Sequence, residues 1–98
     1  MRSVRSGRSI DSALRKKGFL RDSDADHVLY YFLNGNGECT LIKTKVSHGM
    51  MGSTLSAKLI SAMAKQLHLT KKQFLELIDC PLDEKGYRQI LREAGFEV

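Results

Sequence analysis

The chain has 98 residues, of which 42% are hydrophobic and 28% charged, and its formal net charge is +5. A chain of this length fits one domain with a modest core, which argues against a deep, cofactor-lined cavity and favours a shallow surface site without a cofactor. No run approaches the roughly 18 apolar residues of a membrane span, and the positive charge suits a polyanionic partner.

Residues 1–8 are polar and carry Arg2, Arg5 and Arg8. They predict a flexible basic terminus, either frayed or an arm that touches phosphate. No apolar run follows, so no secretory signal is expected. A first helix comes next, with Ser9 or Asp11 as its cap and Ile10, Ala13 and Leu14 on one face. Lys16 and Lys17 lie in its last turn, and Gly18 supplies the left-handed residue that ends it.

Phe19-Leu20-Arg21 reads as a brief strand, and residues 22–26 as a polar loop. The clearest strand signal is His27 to Leu33, rich in β-branched and aromatic residues. Asn34-Gly35-Asn36-Gly37 then marks a hairpin turn. Glu38 to Val46 returns as a second strand in which Lys43 and Lys45 share one wet face. Residues 47–52 form a loop. A long helix is predicted from about Ser53 to His68, with Leu55, Leu59, Met63 and Leu67 recurring every four residues. Thr70 and Gln73 make a capping box, flanked by the hydrophobic staple of Leu69 and Phe74. That helix runs to about Ile78, and a last one covers about Glu84 to Ala94, with Tyr87, Ile90 and Leu91 inward. The order predicts an α+β fold, a three-stranded antiparallel sheet packed by helices on one face. One compact domain is expected, with a core over 9–69 and a helical extension over 70–98.

Cys39 and Cys80 lie far apart without a CxxC pair, which fits reduced thiols in a cytoplasmic protein rather than a zinc site or a disulfide framework. Three histidines are candidate acids or bases. His68, at a helix end, is accounted for structurally. His27 opens the central strand directly after Asp24 and Asp26, either of which could raise its pKa or set its tautomer. It is either idle at a sheet edge or a base within reach of a substrate. His48 lies in a glycine-bearing loop before a helix, a place suited to anions. Lys16, Lys17, Arg21, Lys43 and Lys45 form a candidate basic strip, and Tyr30, Tyr31 and Phe32 add rings. Cations and rings together suit RNA through phosphate contact and stacking, unless the rings are core and the lysines only solvate an edge. No metal-ligand spacing is present.

Over residues 9–69 the order of elements resembles the HicA toxin family. Lys17-Gly18-Phe19 is similar to the end of that family's first helix. Asp24-Ala25-Asp26-His27 stands where the family has Gly-Ser-X-His, so only the histidine is kept and negative charge is added. His48, in Lys45-Val46-Ser47-His48-Gly49, occupies the place of a second family histidine. The resemblance implies a double-stranded-RNA-binding-domain-like α-β-β-β-α fold. It also implies metal-independent mRNA cleavage by His27 with His48 in support, and a HicB-like antitoxin as partner. Two other readings stay open: a non-catalytic RNA-binding module, and a protein-interaction domain that docks through its C-terminal helices.

Overall fold

The computed structural model describes residues 4–79 and 81–98, so the expectations for Arg2 and for the Cys80 thiol lie outside the described residues. In chain order the elements are β1 (Arg5–Ser6), α1 (Gly7–Lys16), β2 (Phe19–Ser23), β3 (His27–Leu33) and β4 (Cys39–Ser47). A 3-10 turn (His48–Met50), β5 (Thr54–Leu55), α2 (Ala57–Gln66), α3 (Lys71–Asp79) and α4 (Glu84–Glu93) follow. The fold is α+β, with a three-stranded antiparallel sheet in the order β2-β3-β4 and four helices.

The chain enters the fold earlier than its polarity predicts. Arg5 and Ser6 pair antiparallel with Leu55 and Thr54, and the Gly7 N–H donates to the Ser53 carbonyl at 2.9 Å. The flexible arm expected over residues 1–8 is therefore corrected for the described part. Arg5 also forks onto the Asp79 carboxylate at the end of α3, its Nε donating at 2.8 Å. Ser6, not Ser9 or Asp11, caps α1, because its Oγ accepts from the Ser9 N–H at 3.1 Å. Ile10, Ala13 and Leu14 form the buried face, and Gly18 ends the helix at φ +89°.

The same pairing shortens α2. Thr54 and Leu55 are spent in a strand, so the helix starts at Ala57 with Ser56 as its cap. Of the residues counted from Leu55, Leu55, Met63 and Leu67 are buried as the periodicity predicts and Leu59 is not. Ile60, Met63, Ala64 and Leu67 face the core, while Leu59 stays 42% exposed. The capping box forms as predicted: Gln73 N–H donates to Thr70 Oγ1 at 3.1 Å, and Thr70 N–H donates to Gln73 Oε1 at 3.0 Å.

Register decides the faces of the sheet. Phe19 lies opposite Phe32, Tyr31 opposite Lys43 and His27 opposite Ser47. Val28, Tyr30, Phe32, Ile42, Thr44 and Val46 are buried beneath the helices. Alternation sends their neighbours to the other face. The C-terminal helices complete this core and do not stand beside it. The Tyr87 ring of α4 lies 5.7 Å from Phe19 and 4.8 Å from Phe32, and its hydroxyl donates to the Leu67 carbonyl at 2.9 Å. The molecule is a slab of 33 × 33 × 19 Å, about the thickness of a sheet plus one helical layer. Among the described residues no helix is long and apolar enough to cross a membrane.

Candidate nucleic-acid interface

The face of the sheet that no described helix covers has a clear layout. His27, Leu29, Tyr31 and Leu33 run along β3, each half-buried. Beside them on β4 stand Ser47 opposite His27, Lys45 opposite Leu29 and Lys43 opposite Tyr31. From β2, Leu20 and Asp22 lie opposite Tyr31 and Leu29. The Lys43 ammonium sits 5.7 Å from the Tyr31 ring centroid. Leu41 is 96% and Leu20 47% exposed. A ring, two cations and an imidazole thus share one open surface, with neighbours along a strand about 7 Å apart.

The turn before His27 is built by Asp24. Its Oδ1 accepts from the N–H groups of Asp26 at 2.9 Å and His27 at 2.7 Å, and its own N–H donates to the His27 carbonyl at 2.9 Å. This is an Asx-type turn, in which a side chain stands in for backbone. Those two N–H bonds, helped by the nearby imidazoles of His27 and His48, hold the exposed Asp24 carboxyl below its ordinary range. The acidic loop therefore aims one carboxylate oxygen back into its own turn.

The other end of the arrangement comes from β4. Past Ser47 the chain enters the 3-10 turn, and His48 Nε2 lies 2.7 Å from the Asp24 carbonyl and 3.1 Å from Ser23 Oγ. A carbonyl only accepts, so Nε2 carries a proton in this geometry. The His48 N–H also donates to the Asp26 carbonyl at 3.3 Å. His27 and His48, distant in sequence, are thereby brought to one end of the sheet. His48 pins the turn that carries His27 and leaves only Nδ1 for other work.

The predicted basic strip does not assemble. Lys43 and Lys45 lie on the open face. Lys17 is 7% exposed, and its ammonium donates to the Leu77 carbonyl at 3.1 Å and to the Leu82 carbonyl. Burial with backbone acceptors removes it from any phosphate. Arg21 alternates to the helix side, where Nε donates to Asp11 Oδ1 at 2.9 Å. Lys16 is exposed, but on α1, which packs behind the sheet. Of the three rings, Tyr30 and Phe32 are core, and Tyr31 alone faces outward. His68 takes the left-handed position after α2 at φ 61°, with its ring 4.4 Å from Phe96. Turn chemistry was legible over residues 22–26, but not that the Asp24 side chain closes the turn by accepting from the Asp26 and His27 N–H groups. Sequence reasoning also missed the apolar exposure of Leu20 and Leu41.

Among the described residues no group of three or more histidine, cysteine or acidic side chains is arranged to hold a metal ion. Comparison with protein-family models, with curated proteins and with solved structures found no match for this chain.

Proposed function

We propose that this chain is an RNA-binding protein of HicA-like type, with a double-stranded-RNA-binding-domain-like α-β-β-β-α core, and that it cleaves mRNA with His27. The observation that carries the reading is the shared open face: His27 lies in the same face as Lys45, Lys43 and Tyr31. His27 acts as general base on a ribose 2′-hydroxyl. The oxygen attacks the adjacent 3′ phosphorus, the bond to the 5′ oxygen breaks, that oxygen takes a proton from solvent water as it leaves, and His27 returns its proton to the solvent. The products are a 2′,3′-cyclic phosphate and a 5′-hydroxyl. Lys45 and Lys43 neutralise phosphates beside the scissile bond, and Tyr31 offers a stacking surface. His48 supports the reaction mainly by fixing the turn before His27. By the same resemblance, a HicB-like antitoxin is its partner and the cytoplasm its compartment.

General-base catalysis contributes about 10²–10⁴-fold, so His27→Ala lowers RNA cleavage by at least about 100-fold. RNA affinity stays close to the parent's in that variant. Lys43→Ala and Lys45→Ala each weaken binding and flatten its dependence on salt by about one unit of logarithmic slope. Unchanged cleavage by His27→Ala overturns the catalytic role. Salt-sensitive binding without any cleaved product selects a non-catalytic RNA-binding module instead.

A further inference from the structure

β4 is an outer strand. β3 pairs with one side of it, and among the described residues no strand pairs with the other. Its regularly paired run, Lys43–Ser47, makes an edge about 17 Å long at about 3.3 Å per residue, and the register shifts between Tyr31 and Leu33, opposite the first half of the strand. Every second residue turns its N–H and C=O toward that free side, and such a row is a template for another strand.

Three separate pockets lie along this strand. Beside Lys45, Val46 and Ser47 one is walled by Met50, Leu59 and Ala62. A second is lined by Leu29, Lys43, Thr44, Lys45 and Gln66. Beside Thr40, Leu41 and Ile42 a third is lined by His68 and Phe96. Apolar surface at the rim stays open to water, with Leu41 96% and Leu59 42% exposed. Backbone groups, pockets at alternate side chains and apolar rims together match the way extended peptides add to a sheet edge.

We propose that the β4 edge is a docking site for an extended, acidic segment of another protein, which joins the sheet as a fourth strand. Charge selects the occupant. Lys43 and Lys45 alternate on one face of the edge, so carboxylates at alternate positions of an incoming strand meet them. A second copy of this chain fits poorly for the same reason. Antiparallel self-pairing about the middle of β4 sets Lys43 against its own counterpart, and like charges directly opposite are destabilising. Both copies also carry a net charge of +5. A docked acidic strand occupies the two lysines assigned above to phosphate, so docking and RNA binding exclude one another. That last consequence alone rests on the nuclease reading.

The probe is a blocked nonapeptide of alternating valine and glutamate, compared with its valine–lysine counterpart by amide NMR on the full chain. The glutamate peptide shifts and protects the amides of Cys39–Ser47 saturably, and added salt weakens it. The lysine peptide binds about two- to thirtyfold more weakly, as expected for two exposed cross-strand ion pairs lost. A folded Lys43→Glu/Lys45→Glu variant reverses the preference. Three results overturn the proposal: no saturable shift along β4, equal affinity for the two peptides, or sedimentation that shows the free chain already dimeric. The comparison of peptides on the unmodified chain decides even if the double variant does not fold. RNA cleavage is read separately, so loss of one activity leaves the other test intact.

Discussion

Asp11 ties the first helix to the sheet. Its Oδ1 accepts from the Tyr30 hydroxyl at 2.6 Å and from Arg21 Nε at 2.9 Å, and its Oδ2 lies 3.4 Å from Arg15. Partial burial alone raises its pKa, but the hydrogen bonds from Tyr30, Arg15 and Arg21 and the charge of Arg21 outweigh that and hold it below the usual carboxylate range. Tyr30, by contrast, is pushed well above its ordinary value by burial and by donating to Asp11. A carboxyl whose folded pKa is depressed stabilises fully above the unfolded value of about 3.9, and that contribution fades as pH falls through the folded value. The stability lost in Asp11→Asn, read from urea midpoints, is therefore largest near about pH 7 and shrinks toward about pH 3. A gap that stays constant over that range contradicts this account. Lys17 carries a related lesson. Its charge enters the basic balance, yet its ammonium serves the carbonyls of Leu77 and Leu82 inside the fold.

The β1–β5 pair and the 3-10 turn form a buckle between α1 and α2, and Gly7 lies beneath it. Gly7 is buried, and a Cβ there would stand 2.4 Å from the Met50 carbonyl oxygen and 2.9 Å from Met51 Cα. Helix propensity favours alanine over glycine by about 1 kcal/mol. Overpacking a tight contact costs about 1–3 kcal/mol, and backbone, unlike a long side chain, cannot swing aside. The clash wins. Gly7→Ala thus lowers thermal stability despite the better helix former, and it loosens the turn that holds His48. A raised melting temperature would show that the buckle yields freely. α2 illustrates the same tie between elements, since its start at Ala57 follows from Thr54 and Leu55 having paired with the N-terminal strand.

At the scale of the molecule there is one core. Phe74 and Leu77 of α3 and Tyr87 and Leu91 of α4 are fully buried in the same cluster as Ile10, Val28 and Phe32. The Arg5–Asp79 fork adds a tie between the N-terminal strand and α3. Removing residues 70–98 uncovers the aromatic floor of the sheet and leaves a fragment of a size at which single cores are marginal. Truncation after Leu69 therefore abolishes the cooperative urea transition and collapses amide dispersion. A fragment that still unfolds cooperatively would separate the C-terminal helices from the fold. These helices also leave the opposite face of the sheet open, which makes that face available for binding.

Much of this protein was legible in the linear pattern. Alternation over His27–Leu33, the Asn-Gly turn, the Thr70 box and the glycine stops are local signals, set by backbone preference and hydrogen bonds between residues a few positions apart. Those signals were enough for the strand order, the helix count and the position of His27 at a strand start. The faces were another matter. Which tyrosine points outward depends on which side the helices cover, and which lysines are free depends on acceptors that arrive from elsewhere in the chain. Lys17 meets Leu77, Arg21 meets Asp11, and His48 meets Asp24, each through contacts that spacing cannot supply. The β1–β5 pair escaped for the same reason: two polar residues become a strand only where a distant partner offers its backbone.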